Sequence, residues 1–264
     1  MPKLKHPKLK ALKRRKRGVP VGGERPARKG IYILPNLFTT AGLFAGFFAI
    51  VQASKGNYEA AAIAIFIALV IDGLDGRIAR LTRTTSDFGS EYDSLSDMIS
   101  FGLTPALVLY DWTLHLRGKL GWLVAFIYVA AVALRLARFN TQKAHDKRYF
   151  QGLPCPAAAA MAASLVWVVT NYEQRGEDWL MVTLVFTVLA ALAMVSNIPY
   201  RSYKDLDLKG RVPFVVLLIM VLVLVVISFD PARVLFAMSL LYFLSGPVSG
   251  VMFYRKKRRA QKKA

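Results

Sequence analysis

Apolar positions recur along this chain in long blocks, at about 36–54, 58–80, 91–112, 119–138, 156–173, 178–197, 212–229 and 231–253. Each approaches the roughly 20 residues that a helix needs to cross the hydrocarbon layer of a bilayer. Helices are the form open to such blocks, because an open sheet leaves its backbone polar groups unsatisfied in lipid. The expectation is an all-α membrane protein of about eight transmembrane helices. Two blocks break the pattern. The second is apolar from Ala60 to Ile71 and turns polar at its end, while the third begins with Glu91, Asp93, Ser94, Ser96 and Asp97 and continues with Ser100, Gly102 and Pro105. Helices of this kind face protein or water rather than lipid. They are expected to wall a cavity.

Charge orients the helices. The chain of 264 residues carries 36 Lys and Arg against 16 Asp and Glu, a net charge of +20, and nineteen of the basic residues fall in 1–35 and 255–263. With eight spans and both tails on one side, the opposite loops hold only Lys55, Arg117, Lys119, Arg175 and Arg233. By the positive-inside rule both termini are then cytosolic. The first long apolar block follows a charged leader, so no signal peptide is expected. Residues 1–30 are expected to be a basic cytosolic tail without fixed structure, and 254–264 a second one. Such tails meet anionic lipid headgroups more readily than nucleic acid, although setting the topology accounts for them equally well. The single cysteine, Cys155, excludes an internal disulfide and reads as a small packing residue. His6, His115 and His145 have no metal-ligand spacing, and neither a phosphate-binding Gly-Lys loop nor a nucleophile elbow is present.

The chemistry concentrates in residues 72–97, DGLDGRIARLTRTTSDFGSEYDSLSD. Carboxylates at membrane depth cost roughly 2.5–3.5 kcal/mol each on insertion scales and so mark function. At about 100° per residue, Asp72 and Asp75 lie about 60° apart on a helix and Asp93 and Asp97 about 40° apart. Two such helices packed antiparallel bring four carboxylates together, a harness for one or two hard divalent cations. Gly76 and Ala79 lie near the same face and leave room for a ligand. Arg80, one turn beyond Gly76, has the donor fork that reaches a phosphate. Gly89 opens space one turn before Asp93.

The run Asp72-x-x-Asp75-Gly76-x-x-Ala79-Arg80, then Gly89, Asp93 and Asp97, resembles the signature of the CDP-alcohol phosphatidyltransferases at each of its eight fixed positions. The resemblance implies a core of six membrane helices, here with two further C-terminal helices, and makes 31–253 a transmembrane catalytic domain. It implies two divalent metals, Mg²⁺ or Mn²⁺, on Asp72, Asp75, Asp93 and Asp97, with Asp97 also the general base. It implies contacts to the CDP portion of a CDP-linked lipid from Gly76, Ala79, Arg80 and Ser86. A homodimer in the inner cell membrane, with its site open to the cytosol, completes what it implies. Leu34-Pro35-Asn36-Leu37-Phe38-Thr39 looks like the family's first helix, in which Asn36 and Thr39 meet the lipid phosphates; a Pro–Asn helix start with small-residue packing at Gly42 and Gly46 explains the same stretch.

The signature does not choose the acceptor. Ser100–Ala106, Ala133–Asn140, Phe150–Pro156 and Val195–Lys204 are similar to the corresponding stretches of family members of the integral-membrane phosphatidylserine synthase type, which implies CDP-diacylglycerol and L-serine as substrates. Arg135 and Arg138, about 60° apart on a helix, are candidates to hold the serine carboxylate, with Asn140 orienting it. Snorkelling of both arginines to the interface is the competing explanation. Glycerol phosphate, inositol phosphate or choline as acceptor keeps the same chemistry. A divalent-cation transporter using the aspartates for permeation would have no use for Gly76, Ala79 and Arg80.

Overall fold

The computed structural model describes residues 33–82, 86–141, 149–201 and 214–261, with backbone alone at 33, 79–80, 82, 149–150, 201, 214–217, 219–220 and 251–261. The basic tail 1–30 and all of the second tail's side chains therefore lie outside the described residues. The described residues are helical almost throughout: α1 (Ile33–Ser54), α2 (Tyr58–Thr82), α3 (Asp87–Asp97), α4 (Thr104–Trp112), α5 (Lys119–Thr141), α6 (Cys155–Asn171), α7 (Leu180–Val195), α8 (Phe214–Phe229) and α9 (Pro231–Gln261). Two short strands, β1 (Tyr149–Gln151) and β2 (Pro199–Arg201), pair antiparallel with Phe150 opposite Tyr200. Among the described residues, four segments are long and apolar enough to cross a membrane: Leu34–Ser54, Lys119–Thr141, Gly176–Val195 and Pro231–Gly250. Phe44, Phe47, Phe126, Leu134, Leu189 and Leu192 stand exposed on three of these segments, the outward apolar surface that lipid, not water, would cover.

The interior is built from small side chains. Ala45, Ala49 and Ala53 of α1 are buried together with Ala61, Ala62, Ala64 and Ala68 of α2, and these two helices form the most extensive contact in the fold. Without a hydrophobic force between helices in lipid, close backbone approach is what makes them adhere, and alanine and glycine permit it. Helix α6 repeats the device with Ala158, Ala159, Ala162 and Ala163 against α2 and α9.

The third apolar block differs from the expected single helix. It begins earlier, at Asp87, because the Ser86 side chain accepts the Gly89 N–H at 3.0 Å and caps α3, the usual way an N-terminal donor is satisfied. It is also interrupted by a π-helical turn, Met98–Leu103, between α3 and α4. Pro105 supplies the cause, since it has no N–H to offer the carbonyl of Phe101 one turn earlier. The buried Tyr128 hydroxyl of α5 donates to that carbonyl at 3.3 Å. The turn sits directly after Asp97 and re-aims the rod at the point where the acids end.

A row of hydroxyls fixes this rod to α1. Ser96, Ser100 and Thr104, four residues apart, donate to the carbonyls of Thr39 (3.2 Å), Gly42 (3.3 Å) and Gly46 (3.2 Å). Such close approach requires Gly46, where a Cβ would lie 2.8 Å from Ser100 Oγ and 3.0 Å from its Cα; at Gly42 a Cβ would meet its nearest atom at 3.6 Å. Gly46→Val is therefore expected to destabilise the protein by about 1–3 kcal/mol, the usual range for overpacking, and to lower its melting temperature in detergent. Gly42→Ala should melt like the wild type. Equal melting temperatures for the two variants would show that the α1–α4 approach is looser than described.

Candidate active site

The acid-bearing ends of α2 and α3 meet beside the first turns of α1. Carboxylate oxygens of Asp72, Asp75 and Asp93 all lie within 4.8 Å of one another. Asp97 falls outside that set but within hydrogen-bonding reach of Asp72, and it lines the same cleft with Thr39, Gly42, Ser96 and Ser100. The two spacings did what helical geometry demands, each pair leaving its helix on one side. Acids at this density repel one another unless a cation or protons offset the charge. A divalent cation takes oxygen ligands at about 2.0–2.6 Å, so ligands on one ion are at most about 5 Å apart. The trio fits such an ion.

Around the acids, the residues singled out in the sequence divide into four groups. Asn36 and Ser86 come together at the start of α3: a Cβ on Gly89 would lie 3.1 Å from Ser86 Oγ and 3.5 Å from Asn36 Oδ1. Gly76 faces open space, with nothing within 4 Å of where a Cβ would stand. The side chains of Ala79 and Arg80 lie outside the described residues. Thr39 lines the cleft together with the acids. It is buried, and its hydroxyl lies 3.0 Å from Asp75 Oδ2.

On the other side, the C-terminal end of α5 approaches α3. Asn140 Nδ2 donates to Ser94 Oγ at 3.1 Å. Arg135 Nη1 contacts the buried Cys155 Sγ at 3.5 Å, and its Nε is buried without a hydrogen-bond partner. Cys155 is in electrostatic range of both Arg135 and Asp97. Arg138, by contrast, is spent on the scaffold. It donates to Val195 O at 3.4 Å, to Gln151 Oε1 at 2.6 Å and to Asn197 Oδ1. These bonds tie α5 to the β1–β2 pair and the end of α7. The same junction depends on Gly152, whose φ of +79° and whose missing Cβ, which would lie 2.3 Å from Met194 O, no other residue could match.

Four contacts escaped the sequence reading, which named Ser96 only among the polar residues of its block and Cys155 only as a packing residue. Ser96 and Thr104 belong to the hydroxyl row, and their four-residue spacing with Ser100 was the available signal. Tyr92, whose hydroxyl meets Thr40 Oγ1 at 2.9 Å, and Cys155, as the neighbour of Arg135, left no signal in local pattern.

Three carboxylates from two helices, within one ion's reach and set among apolar helices, form a candidate divalent-metal site in a helical protein with segments able to cross a membrane. Residues 32–196 match the family model of CDP-alcohol phosphatidyltransferase. The chain is 39% identical over 196 residues to a CDP-diacylglycerol–serine O-phosphatidyltransferase of Helicobacter pylori, covering 74% of this chain and 83% of that protein. It is 40% identical over 165 residues to one of Mycobacterium tuberculosis, covering 60% of this chain and 56% of that protein. An archaetidylserine synthase of Methanothermobacter thermautotrophicus is 33% identical over 169 residues, 63% of this chain and 69% of that protein. The chain belongs to the CDP-alcohol phosphatidyltransferase family, whose members use divalent metals.

Proposed function

We propose that this chain is a CDP-diacylglycerol–serine O-phosphatidyltransferase, transferring the phosphatidyl group from CDP-diacylglycerol to the hydroxyl of L-serine and releasing CMP. The observation that carries the reading is the convergence of Asp72, Asp75 and Asp93 within 4.8 Å, at the heart of the 72–97 signature. The names of the relatives favour serine, and the buried, partnerless Nε of Arg135 suits a carboxylate.

In this reading Asp72, Asp75, Asp93 and Asp97 hold two Mg²⁺ or Mn²⁺ ions, which offset the charge of the pyrophosphate and of the phosphate that departs. Asn36, Ser86, Gly76, Ala79 and Arg80 seat the CDP portion. Arg135 holds the serine carboxylate and Asn140 steadies the same end of α5, while Arg138 keeps α5 in place. A serine hydroxyl is a weak nucleophile until a base takes its proton. Asp97 accepts that proton as serine Oγ bonds to the phosphorus that bears diacylglycerol. The bond from this phosphorus to the bridging oxygen breaks, and CMP leaves with the electron pair.

The membrane arrangement follows from the same reading. The rods α1, α2, α3–α4, α5, α6 and α7 form the six-helix core, in keeping with a family match that ends at residue 196, and α8 and α9 are the two additions. As eight spans in the inner membrane they leave both termini and the site in the cytosol, in a homodimer, with the basic tails against anionic headgroups. The deciding assay incubates purified protein with CDP-diacylglycerol, Mg²⁺ or Mn²⁺, and serine, glycerol phosphate, inositol phosphate or choline in turn. CMP release with serine alone is expected. Release with another alcohol and none with serine would reassign the acceptor, and metal flux into liposomes without any CMP would remove the enzyme reading.

A further inference from the structure

Two hydrogen bonds meet at one residue of α1. The Thr39 hydroxyl lies 3.0 Å from Asp75 Oδ2 on α2, and the Thr39 carbonyl accepts the Ser96 hydroxyl of α3 at 3.2 Å. Thr39, Asp75 and Ser96 are each 6% exposed, so water does not compete for these bonds. Ser96 immediately precedes Asp97 in the chain. The same Thr39 hydroxyl is also 3.2 Å from Pro35 O, but that carbonyl already serves the helix's own backbone. A hydroxyl donating to an ionised carboxylate makes the stronger bond. Its single proton therefore goes to Asp75.

From this we infer that Thr39 is a positioning residue for the metal site, the joint through which α1 sets the acids of α2 against those of α3. Asp75 on its own could turn about its side-chain torsions. The Thr39 bond holds the carboxylate that shares the cleft with Asp72 and Asp93. Groups one step removed from a metal commonly orient its ligands, and their loss costs about 10–100-fold in metal affinity. Ser96 fixes the Thr39 backbone relative to α3, so Asp75 and the Asp93–Asp97 segment are measured from one point. Thr39 then acts through Asp75 and makes no contact with the phosphates of the lipid.

The inference rests on the aspartates being metal ligands, and its test separates the two. Mn²⁺ binding is measured by electron paramagnetic resonance on the purified full chain in detergent, without substrate, for Thr39→Val, Thr39→Ser, Asp75→Asn and Thr39→Val/Asp75→Asn. Thr39→Val is expected to weaken Mn²⁺ binding about tenfold, and Thr39→Ser to keep it within about threefold because the donor remains. Adding Thr39→Val to Asp75→Asn should change nothing further. Wild-type Mn²⁺ affinity in Thr39→Val alongside weakened binding in Asp75→Asn would overturn the inference and leave the metal reading intact. Wild-type affinity in Asp75→Asn would overturn the metal reading itself. Unchanged Mn²⁺ binding with a raised KM for CDP-diacylglycerol would return Thr39 to the donor lipid. Should Thr39→Val fail to fold, Ser96→Ala reports on the same joint: weakened Mn²⁺ binding supports it, and wild-type affinity overturns it.

Discussion

Replacing Asp97 by Asn is expected to reduce kcat by about a thousandfold, within the range that loss of a positioned base produces, while CDP-diacylglycerol still binds. Asparagine keeps the shape of the side chain and one of its oxygens but has no basic site for a proton. Asp97 lies outside the tight set formed by Asp72, Asp75 and Asp93, yet in the same cleft and within reach of Asp72. That position suits a group that helps to hold the ions and also faces the incoming hydroxyl. Its neighbour in electrostatic range, Cys155, contacts Arg135, so the base and the proposed serine receptor border one region. Single-turnover kinetics would read the chemical step, and equilibrium binding of CDP-diacylglycerol would read the donor site. Turnover at the wild-type rate would remove Asp97 from the mechanism. Loss of donor binding together with turnover would make it a ligand whose chief role is the metal.

The acids were legible in the sequence because both of their constraints are local. Residues three and four apart share a helix face wherever the helix goes, so the pairing of Asp72 with Asp75 and of Asp93 with Asp97 needed no tertiary information. Most helices were legible for the same reason, each overlapping one apolar block, while the third block divides into α3, the π-helical turn and α4. Contacts between distant positions were not. Thr39 and Asp75 are 36 residues apart, and nothing near Thr39 distinguishes a hydroxyl aimed at a carboxylate from one aimed at a lipid phosphate. Arg135 and Arg138 look equivalent in the sequence, three residues apart on one helix. Their difference comes from Gln151, Val195 and Asn197, which engage Arg138 and leave Arg135 to Cys155. The early start of α3 had a signal in Ser86 followed by Asp87, a cap and a favourable first-turn acid. Reading Ser86 only as a nucleotide contact hid it. The π-helical turn had a weaker signal in Pro105, since a proline inside an apolar run also permits a simple kink.

That distinction between the two arginines yields the second large effect. Arg135→Ala is expected to lower kcat/KM for serine by about 10- to 100-fold, the equivalent of one lost hydrogen bond to a charged group, with the KM for CDP-diacylglycerol nearly unchanged. The physical reason is the partnerless Nε: a buried donor left unsatisfied in the free protein is favoured to find its acceptor in the substrate. Arg135→Lys should recover little, because an ammonium cannot present two parallel donors to a carboxylate. Arg138→Ala should behave differently. It removes bonds to Val195, Gln151 and Asn197 that join α5 to the β1–β2 junction. Its expected signature is a lower melting temperature and a similar loss of kcat/KM toward both substrates. Steady-state kinetics with each substrate varied in turn, beside thermal melts of both variants, separates these outcomes. A serine-selective defect in Arg138→Ala with none in Arg135→Ala would move the carboxylate site one helical turn along α5, and a uniform defect in both would assign the two arginines to anchoring that helix at the membrane surface.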